Sequence, residues 1–133
     1  MERTAMEITL GRIHKTSSPR AVRILVDRLW PRGIAKANAP WNLWLQDVAP
    51  STALRRWYGH DPERAAEFRQ RYWEELEQLR EHPAMAALLQ LAIREPVMLL
   101  TASKDIEYSQ LPVLRDFLLT FEKGTTPPRD PMP

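Results

Sequence analysis

Val97-Met98-Leu99-Leu100, set between Pro96 and the polar run Thr101-Ala102-Ser103-Lys104-Asp105, is the stretch on which the fold turns. Four apolar residues in a row, too few for a helix and bounded by a proline, read as a strand covered on both faces. Upstream, Pro83 opens a helix with Met85, Leu88, Leu89, Ala92 and Ile93 on one face. Before that, Asp61-Pro62-Glu63 is a helix start: a capping carboxylate, a proline where a missing N–H costs nothing, then an acid favoured by the dipole. Ala65, Phe68, Tyr72, Leu76 and Leu79 continue it at three- and four-residue steps to about residue 81. Glu67 and Arg71 form an i,i+4 pair on its wet side.

Further out lie two more strands. Val22-Arg23-Ile24-Leu25-Val26 is rich in β-branched residues and runs into Asp27-Arg28-Leu29-Trp30-Pro31-Arg32-Gly33, which leaves strand geometry at its proline and glycine. Met6 to Ile13 alternates apolar and polar residues, as a half-exposed strand does. After Pro40, the spacing of Trp41, Leu45 and Val48, with Trp44 beside them, predicts a helix ending at Pro50. Ser51 or Thr52 caps a short helix carrying Leu54 and Trp57, and Gly59 stops it. A last helix carries Val113, Leu114, Phe117, Leu118 and Phe121. Asp105 and Ser109 both qualify as its cap, and Pro112 belongs near its beginning.

Strands separated by helices predict an α/β fold: a small, mostly parallel sheet with helices packed on it. With 133 residues, 44% hydrophobic and 27% charged, one such domain over residues 1–123 is expected, followed by a proline-rich flexible tail, 124–133. No run approaches the roughly 20 apolar residues that span a bilayer. The first residues lack the apolar stretch of a signal peptide, and cysteine is absent. We therefore expect a cytoplasmic protein with no membrane association. The same absence excludes thiolate nucleophiles and Cys-ligated zinc.

In parallel sheets ligands bind beyond the carboxyl ends of the strands. If the second and third predicted strands run parallel, Asp27–Gly33 and Thr101–Asp105 open on one edge. Arg28, Arg32 and Lys104 would then meet Asp27, Asp105 and Ser103. Three cations with hydroxyl donors suit a phosphate or carboxylate, which guanidinium forks bind bidentately. N–H groups at the start of the last helix would add to them. The competing expectation is that Asp27 and Asp105 pair with these cations and merely close the loops. As acid or base, Asp27 and Asp105 are candidates, with His60 as a proton shuttle or a helix-junction cap. Trp30, inside the polar loop, is a candidate for stacking on a ligand or for core packing. Trp41, Trp57 and Trp73 read as core.

No two histidines have metal-ligand spacing, and no glycine-rich phosphate loop, nucleophile elbow or nucleotide fingerprint is present. Neither a metal nor another cofactor is expected. Residues 1–60 carry ten Lys/Arg against four Asp/Glu, so nucleic acid is a second partner class, without any recognised binding motif. A third is a partner-binding module, a homodimer included, that uses exposed tryptophans.

Four segments together resemble a known family: Asp27-Arg28-Leu29-Trp30-Pro31-Arg32-Gly33-Ile34, Trp44-Leu45-Gln46-Asp47-Val48-Ala49-Pro50-Ser51, Trp57-Tyr58-Gly59-His60-Asp61-Pro62 and Ser103-Lys104-Asp105. It is the domain-of-unknown-function 488 family, in its YeaO-like branch, and the resemblance runs from about Ile8 to Phe121. It implies a small bacterial α/β domain with no established activity. In this branch a His-Asn element usually follows the Lys-Asp pair, and some larger relatives place Cys-His-Arg near it. This chain has Tyr108-Ser109-Gln110-Leu111 there, and Tyr108 is a poor base at neutral pH.

Overall fold

The computed structural model describes residues 6–14 and 20–122. Strand β4 (Val97–Thr101) is buried along its whole length and forms the axis of the sheet. It pairs in parallel with β1 (Ile8–Arg12) on one side and β2 (Val22–Leu25) on the other. A two-residue strand, β3 (Leu43–Trp44), adds in parallel to β2 and completes the order β1-β4-β2-β3. The register sets Leu99 between Leu10 and Ile24, and Leu100 between Gly11 and Leu25. This is a mixed α/β fold with an all-parallel sheet among the described residues.

Alternation along the strands divides the core in two. Ile24, Val26, Val97 and Leu99 join all four α-helices in one apolar cluster. These helices are α1 (Thr52–Tyr58), α2 (Ala65–Gln78), α3 (Pro83–Arg94) and α4 (Leu111–Leu119). Leu25, Met98 and Leu100 alternate with those strand residues and pack instead with Ile13 and Trp41, with Trp30 and Trp44 against them. Trp30 meets Trp41 edge-on at 4.9 Å and Trp44 at 5.3 Å. Loop indoles therefore cover a surface that helices leave open.

Local signals account for most helix ends. The Ser51 hydroxyl accepts from the Leu54 N–H at 3.1 Å, and Gly59 ends α1 at φ +54°. The Asp61 carboxylate accepts from the Glu63 N–H at 3.0 Å, opening a 3-10 turn (Pro62–Arg64) that leads into α2. His82 caps α3, its Nδ1 accepting from the Ala84 N–H.

Three expectations are corrected. Residues 41–49 hold no α-helix but β3 and a 3-10 turn (Gln46–Val48). Trp41 and Trp44 belong to the tryptophan side of the sheet, and Leu45 and Val48 to the helical side. Their spacing serves two faces instead of one helical stripe. Helix α4 starts at Leu111, not at Asp105 or Ser109, with Pro112 in its first turn. Asp105 accepts from the Glu107 N–H in its own turn, and the Ser109 hydroxyl takes the Leu111 N–H. Ile93, placed on the apolar face of α3, is exposed, and Trp57 and Trp73 are only partly buried. The proposed tail, 124–133, lies outside the described residues. Among those described, no helix is long and apolar enough to cross a membrane.

Candidate functional site

β2 and β4 are parallel neighbours, so the chain after Val26 and the chain after Thr101 leave the sheet side by side. Between them opens a cavity of about 270 Å³. Asp27, Arg28, Trp30 and Ser103 line it from the strand exits, with Arg55, Tyr58 and His60 from α1 and its C-terminal turn. Pro31, Pro50, Phe68 and Gln110 are among the other residues of its wall.

Asp27 ties the exits together. Its Oδ1 accepts from the Thr101 hydroxyl at 2.7 Å and from Gln110 Nε2 at 2.9 Å, and its Oδ2 accepts from the Ala102 N–H at 2.8 Å. Gln110 Nε2 also donates to the Val26 carbonyl. The Asp27 carbonyl accepts from the Trp44 indole N–H at 2.7 Å. All these partners are neutral.

Arg28 is held just as firmly, by carbonyls. Its Nη2 donates to Ala49 at 2.7 Å and its Nε to Pro50 at 3.2 Å. The residues on either side of those two carbonyls are themselves fixed from below. The Tyr72 hydroxyl donates to the Val48 carbonyl at 2.7 Å, and Glu75 accepts from both the Ser51 N–H and its hydroxyl. Burial drives the Tyr72 phenol well above its ordinary range, with the Glu75 carboxylate adding to the shift. It stays a donor at neutral pH. Tyr58 stacks on Phe68 at 4.1 Å and donates to the Tyr108 carbonyl at 2.6 Å, pinning residues 102–110 against α1. Burial, followed by the nearby Asp105 carboxylate, raises its pKa as well.

The structure thus gathers Asp27, Arg28, Trp30, His60 and Ser103 around one space, and leaves Arg32, Lys104 and Asp105 outside its lining. Those three are exposed, because both loops turn outward beyond their first residues. The ion pairing envisaged between Asp27 or Asp105 and these cations is absent among the described residues; Asp27 binds neutral donors and Asp105 caps its own turn. At the start of α4, the Ser109 hydroxyl occupies the Leu111 N–H and Pro112 has none to offer. Trp30 donates its indole N–H to the Ile34 carbonyl at 2.6 Å and presents the rest of its ring to neighbouring tryptophans and the cavity. His60 stands at the mouth with φ +59°. Among the described residues, no group of three or more His, Asp or Glu is placed to hold a metal ion.

Sequence reasoning did not place Arg55, Tyr58 or Gln110 at this site; Arg55 was weighed only as a nucleic-acid contact. Arg55 carried a signal, because an arginine one turn before a capping glycine lies near the loop that follows. Gln110 carried none, since its role depends on a carboxylate 83 residues away.

A family model described as the inactive DUF488-N3 subclade matches residues 7–131. The chain belongs to this subclade. Uncharacterized proteins of Mycobacterium tuberculosis and Mycobacterium bovis are each 40% identical to it over 112 residues, 84% of this chain and 92% of theirs. The uncharacterized protein YeaO of Escherichia coli is 38% identical over 96 residues, 72% of this chain and 82% of its own. No solved structure matches this DUF488-N3 chain. The earlier resemblance to the YeaO-like branch thus agrees with the family model and with the relatives.

Proposed function

We propose that the protein binds a small organic acid, without turning it over, in the cavity where β2 and β4 end. The observation that carries this reading is the state of Arg28. Arg28 lines the cavity, and its guanidinium is oriented by two neutral carbonyls and makes no ion pair among the described residues. A half-buried cation that no carboxylate pairs favours a ligand that brings an acidic group. Arg55 adds a second positive charge from the rim, and it too has no ion pair among the described residues.

Size and lining narrow the class. At about 270 Å³ the cavity lies just below the roughly 300 Å³ at which typical ligand pockets begin, so the ligand is metabolite-sized. Trp30, Pro31, Pro50, Tyr58 and Phe68 offer it an apolar body contact. Binding without turnover follows from the candidate catalysts. Three neutral donors fix the Asp27 carboxylate in place, Asp105 is outside the lining, and His60 has no orienting acid among the described residues. A general base needs both reach and orientation. The family's description as inactive supports the same reading.

The test is NMR titration of the full chain with acid-bearing probes (phenyl phosphate, 3-phenylpropanoate and phenylalanine) against acid-free phenethylamine. At least one acid should shift resonances of the cavity residues, and Arg55→Ala should weaken it by about threefold to fivefold, as removing a rim charge does. The Arg55 side chain makes no hydrogen bond or ion pair among the described residues, and alanine keeps the backbone bonds, so the melting temperature should not move. If no acid shifts those resonances, or if Arg55→Ala leaves affinity unchanged, the reading is wrong.

A further inference from the structure

Asp27 presents a difficulty for a ligand that is only an anion. Its carboxylate lines the same cavity as Arg28, and neutral groups alone hold it: the Thr101 hydroxyl, the Ala102 N–H and the Gln110 amide. Consecutive in sequence and opposite in charge, Asp27 and Arg28 form no ion pair with each other or with any other described residue. Each is fixed by separate neutral partners, Asp27 by the β4 exit and Gln110, Arg28 by the carbonyls of residues 49 and 50. Oδ1 accepts two hydrogen bonds, whereas Oδ2 accepts one and retains a lone pair.

Resting on the organic-acid reading, we propose that the ligand is a zwitterion of the amino-acid class. Its acidic group meets Arg28, its ammonium meets Asp27 Oδ2, and its apolar side chain lies against Tyr58, Phe68 and Trp30. A half-buried carboxylate and a half-buried guanidinium are each costly to desolvate alone. A ligand bearing both opposite charges answers both at once, while a simple anion answers one and is repelled by the other. Discrimination of this kind is strong, because an analogue lacking one charged group leaves a fixed protein charge without its partner.

The experiment compares matched ligands on the unaltered full chain by calorimetry. Phenylalanine is set against 3-phenylpropanoate, which lacks the ammonium, and phenethylamine, which lacks the carboxylate. Leucine and 4-methylpentanoate form a second pair. At least one amino acid should bind about tenfold or more tighter than its deaminated partner, and tighter than the amine. Deaminated acids that bind as well as the amino acids would overturn the zwitterion and leave the organic-acid reading standing. Binding by none of the acids would end both, and so would phenethylamine matching phenylalanine. Asp27→Asn should then draw the ratio between amino acid and deaminated acid towards one. Should that variant fail to fold, the ligand pairs on the unaltered chain still decide.

Discussion

His60 holds a backbone conformation, φ +59°, that side-chain-bearing residues adopt at a cost, directly after Gly59 at φ +54°. Two successive left-handed residues turn the chain sharply from α1 into the Asp61 cap and set the imidazole at the cavity mouth. For an L-residue this region costs roughly 1–2 kcal/mol, and glycine escapes that cost. His60→Gly should therefore raise the melting temperature by a few degrees, the shift that about 1 kcal/mol produces in a domain of this size. The same variant should bind acidic probes less well, because the mouth loses its imidazole. A thermal melt and a titration on one sample check both halves. An unchanged or lower melting temperature would show that the imidazole's own contacts outweigh the strain. Arg28 illustrates the complementary situation. Nothing about it is strained, and its importance lies in being held by carbonyls alone.

Among the elements, β4 is the one to which all else refers, and Gly11 shows how closely β1 is fitted to it. A Cβ at Gly11 would lie 3.2 Å from Met98 Sδ and 3.3 Å from Leu100 Cδ2. Alanine forces those flexible side chains to give a few tenths of an ångström, whereas valine adds two further carbons to a filled space. Gly11→Val should destabilise the fold by about 1–3 kcal/mol, the usual range for overpacking, with Gly11→Ala well below it. Urea unfolding of the two variants measures the difference, and equal losses would mean that the packing against β4 is loose. β4 was also the most legible element in the sequence, because a short, wholly apolar run between a proline and a polar loop has few other readings. The strand exits followed from it, and with them Asp27, Arg28, Trp30 and Ser103 as neighbours. Residues 41–49 were opaque for a physical reason. Their apolar side chains serve opposite faces of the sheet, Trp41 and Trp44 one and Leu45 and Val48 the other, and the resulting spacing imitates a helix. The start of α4 was hidden in the same way. Asp105 and Ser109 are both good caps, and what decides between them and Leu111 is Gln110 turning inward to a carboxylate far away in sequence.

At the scale of the whole molecule, the site depends on the helical layer through phenols. Tyr72 reaches from α2 to the Val48 carbonyl, steadying the segment that holds Arg28, and Tyr58 reaches from α1 to the Tyr108 carbonyl. Both donate, so both must keep their protons, and burial raises both above the ordinary value of 10.0. The consequence for stability has a definite sign. Below about pH 10 the folded and unfolded chains are equally protonated at these positions, and the stability is fully present. Above it the unfolded chain releases protons that the folded chain retains, so unfolding becomes progressively easier as pH rises towards the folded pKa values. For fully buried Tyr72 the slope approaches about 1.4 kcal/mol per pH unit. Urea unfolding from pH 8 to pH 11 should therefore show stability level at first and then falling. Tyr72→Phe should start lower by about 1 kcal/mol, having lost its bond to Val48, but fall less steeply. Combining it with Tyr58→Phe should flatten the alkaline limb further. A wild-type profile that stays level throughout that range would mean that the phenols ionise without opening the fold. The helical layer would then not be what holds the residues 48–51 beneath Arg28.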